Sequence, residues 1–202
     1  MTPILLATRN AKKLVELRRI LEGAGDVDLV GLDDVAAYDE APETGATFAV
    51  NALLKAREGA RHTGLISVGD DSGLTVDALN GMPGVLSARW AGRPRDDQRN
   101  VDLVLDQLAD IPAERRGAAF VCAIAVVTPE GREEVVEGRM AGAIEAAGRG
   151  AGGFGYDPIF VATGYGRTTA ELTPAEKDAI SHRGQALRAL VPVLERLLGP
   201  NG

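Results

Sequence analysis

Apolar and polar residues alternate along this chain in rhythms that change every ten to fifteen residues. Residues 4–7 (Ile-Leu-Leu-Ala) are an uninterrupted apolar run, the pattern of a strand buried on both faces. Asn10 then offers a helix N-cap, and Leu14, Leu17 and Leu21 recur behind it at helical spacing. A second strand is predicted over 27–32, followed by an acidic loop over 33–45. Thr47 caps a helix whose Phe48, Ala52, Leu53, Ala56 and Ala60 share one face. Residues 65–68 form a third strand, predicted to end at Gly69-Asp70-Asp71-Ser72-Gly73, where every residue type favours a turn.

Beyond a short strand at 74–76, the segment 81–84 (Gly-Met-Pro-Gly) reads as a turn, and 96–108 carries a helical pattern that ends near Pro112. Two apolar stretches, 118–128 and 133–140, flank Pro129-Glu130-Gly131 and predict a hairpin. A glycine-dense loop covers 148–155. Thr173-Pro174-Ala175-Glu176 combines a capping box with proline at the first helical position, and a last helix spans 184–198, with a bend expected at Pro192. A strand–helix–strand opening followed by antiparallel strands predicts an α/β fold around a mixed sheet. Neither a repeat nor a linker interrupts the chain, so one domain is expected over 1–202.

At 202 residues, with 45% hydrophobic and 25% charged positions, the chain is long enough to bury a sizeable core in a single soluble domain. It contains no apolar run of membrane-spanning length and no secretory-signal pattern at its start, which predicts a cytoplasmic protein. A net charge of −7 argues against a protein that coats DNA or RNA, since such binding needs many cationic contacts to phosphates. One small anion is still compatible, particularly when a divalent metal shares its charge. The single cysteine, Cys122, lies in an apolar run and reads as core. With only His62 and His182, a multi-histidine zinc site is excluded, and no Gly-x-Ser-x-Gly elbow supports a serine hydrolase.

Four segments can carry chemistry. Thr8-Arg9-Asn10-Ala11-Lys12-Lys13 falls between a strand and a helix N-terminus, where unpaired N–H groups and the helix dipole attract phosphate, and Lys13 with Lys12 adds charge. The same residues also suit an ordinary capped surface helix. Asp70-Asp71-Ser72-Gly73 places two acids at a predicted strand end, where both carboxylates would project at the sheet edge that open α/β folds use for ligands. Mg²⁺ would offset that charge, and one carboxylate could activate a water; the alternative is an acidic turn. Gly152 to Pro158 sets Phe154 and Tyr156 among glycines, so that a flat base could stack on Phe154 while Asp157 accepts hydrogen bonds from its edge; otherwise the aromatics tuck into the core. Lys177, Ser181, His182 and Arg183 cluster near a helix junction, with Arg183 a rigid donor to carbonyl or phosphate oxygens, or simple surface decoration.

This ordered set resembles the inosine/xanthosine triphosphate pyrophosphatase family along essentially the whole chain, with Thr47-Phe48, Asn51-Ala52, Lys55-Ala56, Gly81 to Gly84 and Ser87-Ala88-Arg89 adding to the motifs above. The resemblance implies an elongated α/β structure with a long mixed sheet, flanking helices and two lobes around a central substrate cleft, assembled as a homodimer. It implies Mg²⁺-dependent hydrolysis of ITP, dITP or XTP to the monophosphate and pyrophosphate. Thr8, Arg9, Asn10, Ala11, Lys12, Lys13, Asn51 and Lys55 would line the triphosphate, and Asp71 would be the metal-associated general base beside Asp70. Ser72 would touch substrate, Phe154, Gly155, Tyr156 and Asp157 would form the base platform, and Lys177, His182 and Arg183 would complete the pocket. One position departs from the family pattern: where a glutamate usually precedes the asparagine, this chain has Val50, which cannot bind a metal. Val50 opens one alternative, a nucleotide-binding protein with impaired catalysis; a second, separate one is a pyrophosphatase acting on modified pyrimidine triphosphates.

Overall fold

The computed structural model describes residues 2–8, 15, 28–39 and 42–198. The helix expected behind Asn10 lies outside them. Among the described residues, six strands, β1 (Pro3–Leu6), β2 (Asp28–Gly31), β3 (Ile66–Val76), β4 (Gly117–Val127), β5 (Glu133–Ile144) and β6 (Phe160–Ala162), hydrogen-bond in the order β2-β1-β3-β4-β5-β6. β1 runs parallel to both neighbours, with Leu5 opposite Val30 and Ser67, while β5 and β6 are antiparallel, so the sheet is mixed as the pattern predicts. Four helices that lie wholly within the described residues accompany it: α1 (Phe48–Thr63), α2 (Asp97–Gln107), α3 (Pro174–Ile180) and α4 (His182–Leu198).

Two compact units divide the chain, each drawn from separated stretches. The first comprises Met1–Asp71, Cys122–Gly138 and Arg183–Gly202. Its core joins Ile4 and Leu6 to Val68, Cys122, Ile124, Leu187 and Leu190; Cys122 is buried, as its apolar setting predicts. The second comprises Ser72–Val121 and Arg139–His182, with Leu74, Val76, Val104, Leu108, Phe120, Ile159 and Phe160 at its centre.

Local signals act where the sequence places them. The Thr47 hydroxyl accepts from the Val50 N–H (3.2 Å) at the start of α1, and Gly64 in the left-handed region ends it. The capping box of Thr173 and Glu176 opens α3, with Pro174 in its first turn. Its hydrogen bonds from Thr173 and Arg167 hold the Glu176 carboxyl at about 2. Thr128 and Arg132 close the β4–β5 turn (3.0 Å). α4 begins at His182 rather than 184, within the usual uncertainty of a helix end.

The third strand departs from expectation. Instead of stopping at Gly69, β3, 11 residues long in all, runs straight through Asp70-Asp71-Ser72-Gly73 and absorbs the short strand expected at 74–76. Turn propensity loses here because the glycines serve another purpose: they leave room for neighbouring backbone. A Cβ on Gly69 would lie 2.4 Å from the Ala52 carbonyl oxygen of α1, and one on Gly73 would lie 2.7 Å from the Gly84 carbonyl oxygen. Tertiary packing overrides the local preference.

Continuity of β3 sorts its side chains by face. Ser67 abuts Gly59 of α1, Gly69 abuts Ala52 and Ala56, and Asp71 bonds to Asn51, so the odd-numbered positions face α1. Val68 belongs to the opposite face, in the core with Leu187. Asp70 lies between Gly69 and Asp71 on the continuous strand, its charge acting on Lys55 together with that of Asp71, and the expectation of carboxylates at a strand end is corrected: the strand runs on past both.

Candidate active site

In the first unit, the α1 face of β3 carries a polar cluster at its Asp71 end. Helical spacing brings Asn51 and Lys55, one turn apart, above the strand. The Asn51 side chain is fully buried; its Nδ2 donates to Asp71 Oδ2 (2.9 Å), and its Oδ1 accepts the Gly45 N–H (2.7 Å). Lys55 Nζ donates to the Asp70 carbonyl oxygen (2.9 Å), pairs with Glu43 Oε1 (2.5 Å) and stands 3.8 Å from Asp71 Oδ1. Burial acts to lower the Lys55 pKa, yet the charges of Asp70, Asp71 and Glu43 outweigh it and hold the ammonium above its ordinary value. These four side chains set three carboxylates against one ammonium. Thr8 is buried at the end of β1, its N–H donating to the Leu6 carbonyl, while Arg9, Asn10, Ala11, Lys12 and Lys13 lie outside the described residues. Val50 is 43% exposed and flanks Gly45. Ser72, half-buried, follows Asp71 on β3.

In the second unit, the glycine-rich segment folds around Asp157. Its buried carboxylate accepts the Phe154 N–H (2.8 Å) and Lys177 Nζ (2.6 Å) on Oδ2, and the Thr169 hydroxyl (2.8 Å) on Oδ1. Gly153, in the left-handed region, is obligatory twice over, since a Cβ there would strike Asp157 Oδ2 at 2.1 Å. A protein donor therefore already occupies each carboxylate oxygen, and Asp157 organises the loop and anchors Lys177. That ammonium lies 4.9 Å from the centroid of the half-buried Phe154 ring. Gly155 donates its N–H to Asp97 Oδ2 (3.1 Å) at the start of α2.

Tyr156, expected on the base platform, is buried, its hydroxyl donating to the Ser87 carbonyl (2.8 Å). Burial, with a lesser contribution from the Asp97 charge, pushes its pKa far up, so the hydroxyl stays protonated. Removing it by Tyr156→Phe leaves the buried Ser87 carbonyl without this donor and is expected to cost about 1–2 kcal/mol, read as a lower urea midpoint at unchanged slope. His182 stacks on Phe120 (5.0 Å between ring centroids, 14° between planes), and Arg183 and Ser181 are buried beside it.

Asp97 and Thr169 are partners that sequence patterns did not single out. Asp97 reads as one more acid in a helix's first turn. Thr169 sits in a segment whose Thr168 and Glu171 do form a capping box, a signal that marks a turn but not its buried neighbour.

A mixed sheet whose central strand brings a buried carboxylate against an amide and an ammonium of the neighbouring helix defines a protein equipped for polar chemistry at that strand. The family model described as the Ham1 family matches residues 4–193, and the chain belongs to that family. It is 65% identical over 197 residues to a dITP/XTP pyrophosphatase of Mycobacteroides abscessus, covering 96% of each chain. Among solved structures, a nucleoside-triphosphatase / dITP/XTP pyrophosphatase from Mycobacterium abscessus superposes with a TM-score of 0.81 at 65% identity, over 95% of this chain and 100% of that one. A HAM1 protein from Coxiella burnetii reaches 0.89 at 42% identity, over 97% and 100%.

Proposed function

We propose that this protein hydrolyses deaminated purine nucleoside triphosphates, dITP and XTP among them, to the monophosphate and pyrophosphate. The observation that carries the hydrolytic reading is Asp71, a buried carboxylate fixed by Asn51 and neighboured by Lys55. The substrate class follows from the dITP/XTP pyrophosphatase 65% identical to it across 96% of the chain.

In this reading a water attacks the α-phosphorus while Asp71 accepts its proton, the new O–P bond forms, and the bond to the bridging oxygen breaks to release pyrophosphate. Lys55, with Lys13, neutralises the departing charge, and Thr8 to Lys13 hold the phosphates. Such catalysis needs only positioning and charge stabilisation. No group of three or more acidic, histidine or cysteine side chains forms a metal cage among the described residues. One or two carboxylates suit Mg²⁺, which keeps waters and shares substrate phosphates, and the excess of acid around Lys55 favours a cation there. Asp71, with Asp70 behind it, would hold that ion, and Mg²⁺ when bound supplies charge neutralisation on the phosphate oxygens. The base would stack on Phe154, backed by Lys177, with His182 and Arg183 reading its 6-oxo edge. Ser72 would touch the substrate beside Asp71.

No described helix is long and apolar enough to cross a membrane. We place the protein in the cytoplasm as a homodimer, which light scattering would test. The central experiment is pyrophosphate release from dITP, XTP, ATP and GTP, with and without Mg²⁺. The adenine 6-amino group would leave a 6-oxo donor unpaired, a penalty of about 1–3 kcal/mol, so dITP and XTP should exceed ATP by roughly 10- to 100-fold. Equal rates on all four nucleotides would refute the substrate assignment.

A further inference from the structure

We infer that Asn51 is a positioning residue for Asp71 rather than a substrate contact, an inference that rests on the proposed hydrolytic role of Asp71. Three observations carry it. First, Asn51 is fully buried although it stands one residue from the 43%-exposed Val50, so its amide faces inward. Second, both ends of that amide are engaged, and the backbone decides which end is which. The Gly45 N–H can only donate, so it must meet Oδ1 (2.7 Å), and this turns Nδ2 toward Asp71 (2.9 Å). Asn51 is thereby committed to donating, and Asp71 Oδ2 to accepting. Third, this bond fixes the rotation of the Asp71 carboxylate, whose other oxygen, Oδ1, lies on the Lys55 side at 3.8 Å.

The two roles of the amide separate in sequence as well as in space. Toward Gly45 it ties the segment carrying Glu43 to the first turn of α1; toward Asp71 it sets the direction of one carboxylate. An acid at position 51 keeps the first and destroys the second. Aspartate is isosteric with asparagine and still accepts from Gly45, but toward Asp71 it sets a second carboxyl at hydrogen-bond distance, so the pair repels or shares one proton and Asp71 is no longer an oriented, unprotonated base. The groups that share this environment from the neighbouring elements are Lys55 on α1, Glu43 on the preceding segment, and Asp70 on β3.

The test compares the parent chain with Asn51→Asp and Asn51→Ala, measuring kcat and KM for dITP alongside thermal unfolding. Loss of a group that only orients a reacting residue typically lowers activity about 10- to 100-fold, and both variants should lose kcat to that extent while KM stays within about twofold of the parent. A direct substrate contact would raise KM, and that result overturns the inference. A purely structural tie to Gly45 would leave Asn51→Asp at the parental kcat, which overturns it as well. Asn51→Ala introduces no charge and guards against misfolding of the aspartate variant. Its kcat loss with a parental melting temperature supports the positioning role alone. Should the parent release no pyrophosphate from any of the four nucleotides, the hydrolytic reading itself falls and this inference with it. An active parent with unaffected variants removes only the inference.

Discussion

Asp71→Asn should lower pyrophosphate release from dITP by on the order of 10³-fold, the span a positioned general base commands. The substitution keeps the shape of the side chain and removes its capacity to take a proton. Its carbonyl oxygen can still accept from Asn51 Nδ2, so the bond that orients the position survives in the variant. Lys55 retains Glu43 and the Asp70 carbonyl oxygen as partners, so the local fold should persist with a melting temperature close to the parent's. The expected pattern is therefore a collapse of kcat with folding and nucleotide binding retained, seen by comparing turnover with calorimetric binding of dITP. A rate within tenfold of the parent would move the general base elsewhere.

How much of this was legible in the sequence depends on how local each determinant is. Helix caps at Thr47 and Thr173, the hairpin about Gly131 and the burial of Cys122 rest on a few neighbouring residues, and each appears in the structure where those residues stand. The fate of residues 69–73 rests on residues elsewhere in the chain. Read locally, Gly-Asp-Asp-Ser-Gly is a turn; packed against α1, the glycine at 69 becomes the condition for a helix to approach a strand, and the acids fall within that strand. Asn51 illustrates the same limit. Its neighbours mark it as a polar residue at the edge of an apolar helix face, whereas its partner Asp71 lies 20 positions away. Asp157 looked like a hydrogen-bond acceptor for a ligand, and within the chain it accepts from Thr169, Phe154 and Lys177, partners no local pattern names. Residue types marked these segments as polar, but not which groups would answer one another.

Gly69→Ala joins the fold to the chemistry and should injure both. Gly69 is not among the residues at positive φ, so its backbone would tolerate alanine; the obstacle is space. The added methyl would lie 2.4 Å from the Ala52 carbonyl oxygen, 2.7 Å from the Ala56 nitrogen and 3.0 Å from Lys55 Cβ. Two of these three atoms are helical backbone, which no side-chain rotation can withdraw. Relief to ordinary van der Waals separation requires α1 to retreat by about 1 Å, and overpacking of this kind costs about 1–3 kcal/mol. The helix that retreats carries Asn51 and Lys55, whose polar atoms lie 2.9 and 3.8 Å from the Asp71 carboxylate. A shift of about 1 Å at reacting groups can cost roughly 100-fold in rate, so Gly69→Ala should lose that much kcat in addition to its stability. Gly64→Ala supplies the comparison: it strains a residue at φ +66 with nothing within 4 Å of the new methyl, at the far end of the same helix. It should cost about 1–2 kcal/mol for the left-handed conformation and leave kcat unchanged. If the two variants lose activity equally, reduced stability alone accounts for the loss, and the helix–strand spacing at Gly69 does not set the geometry around Asp71.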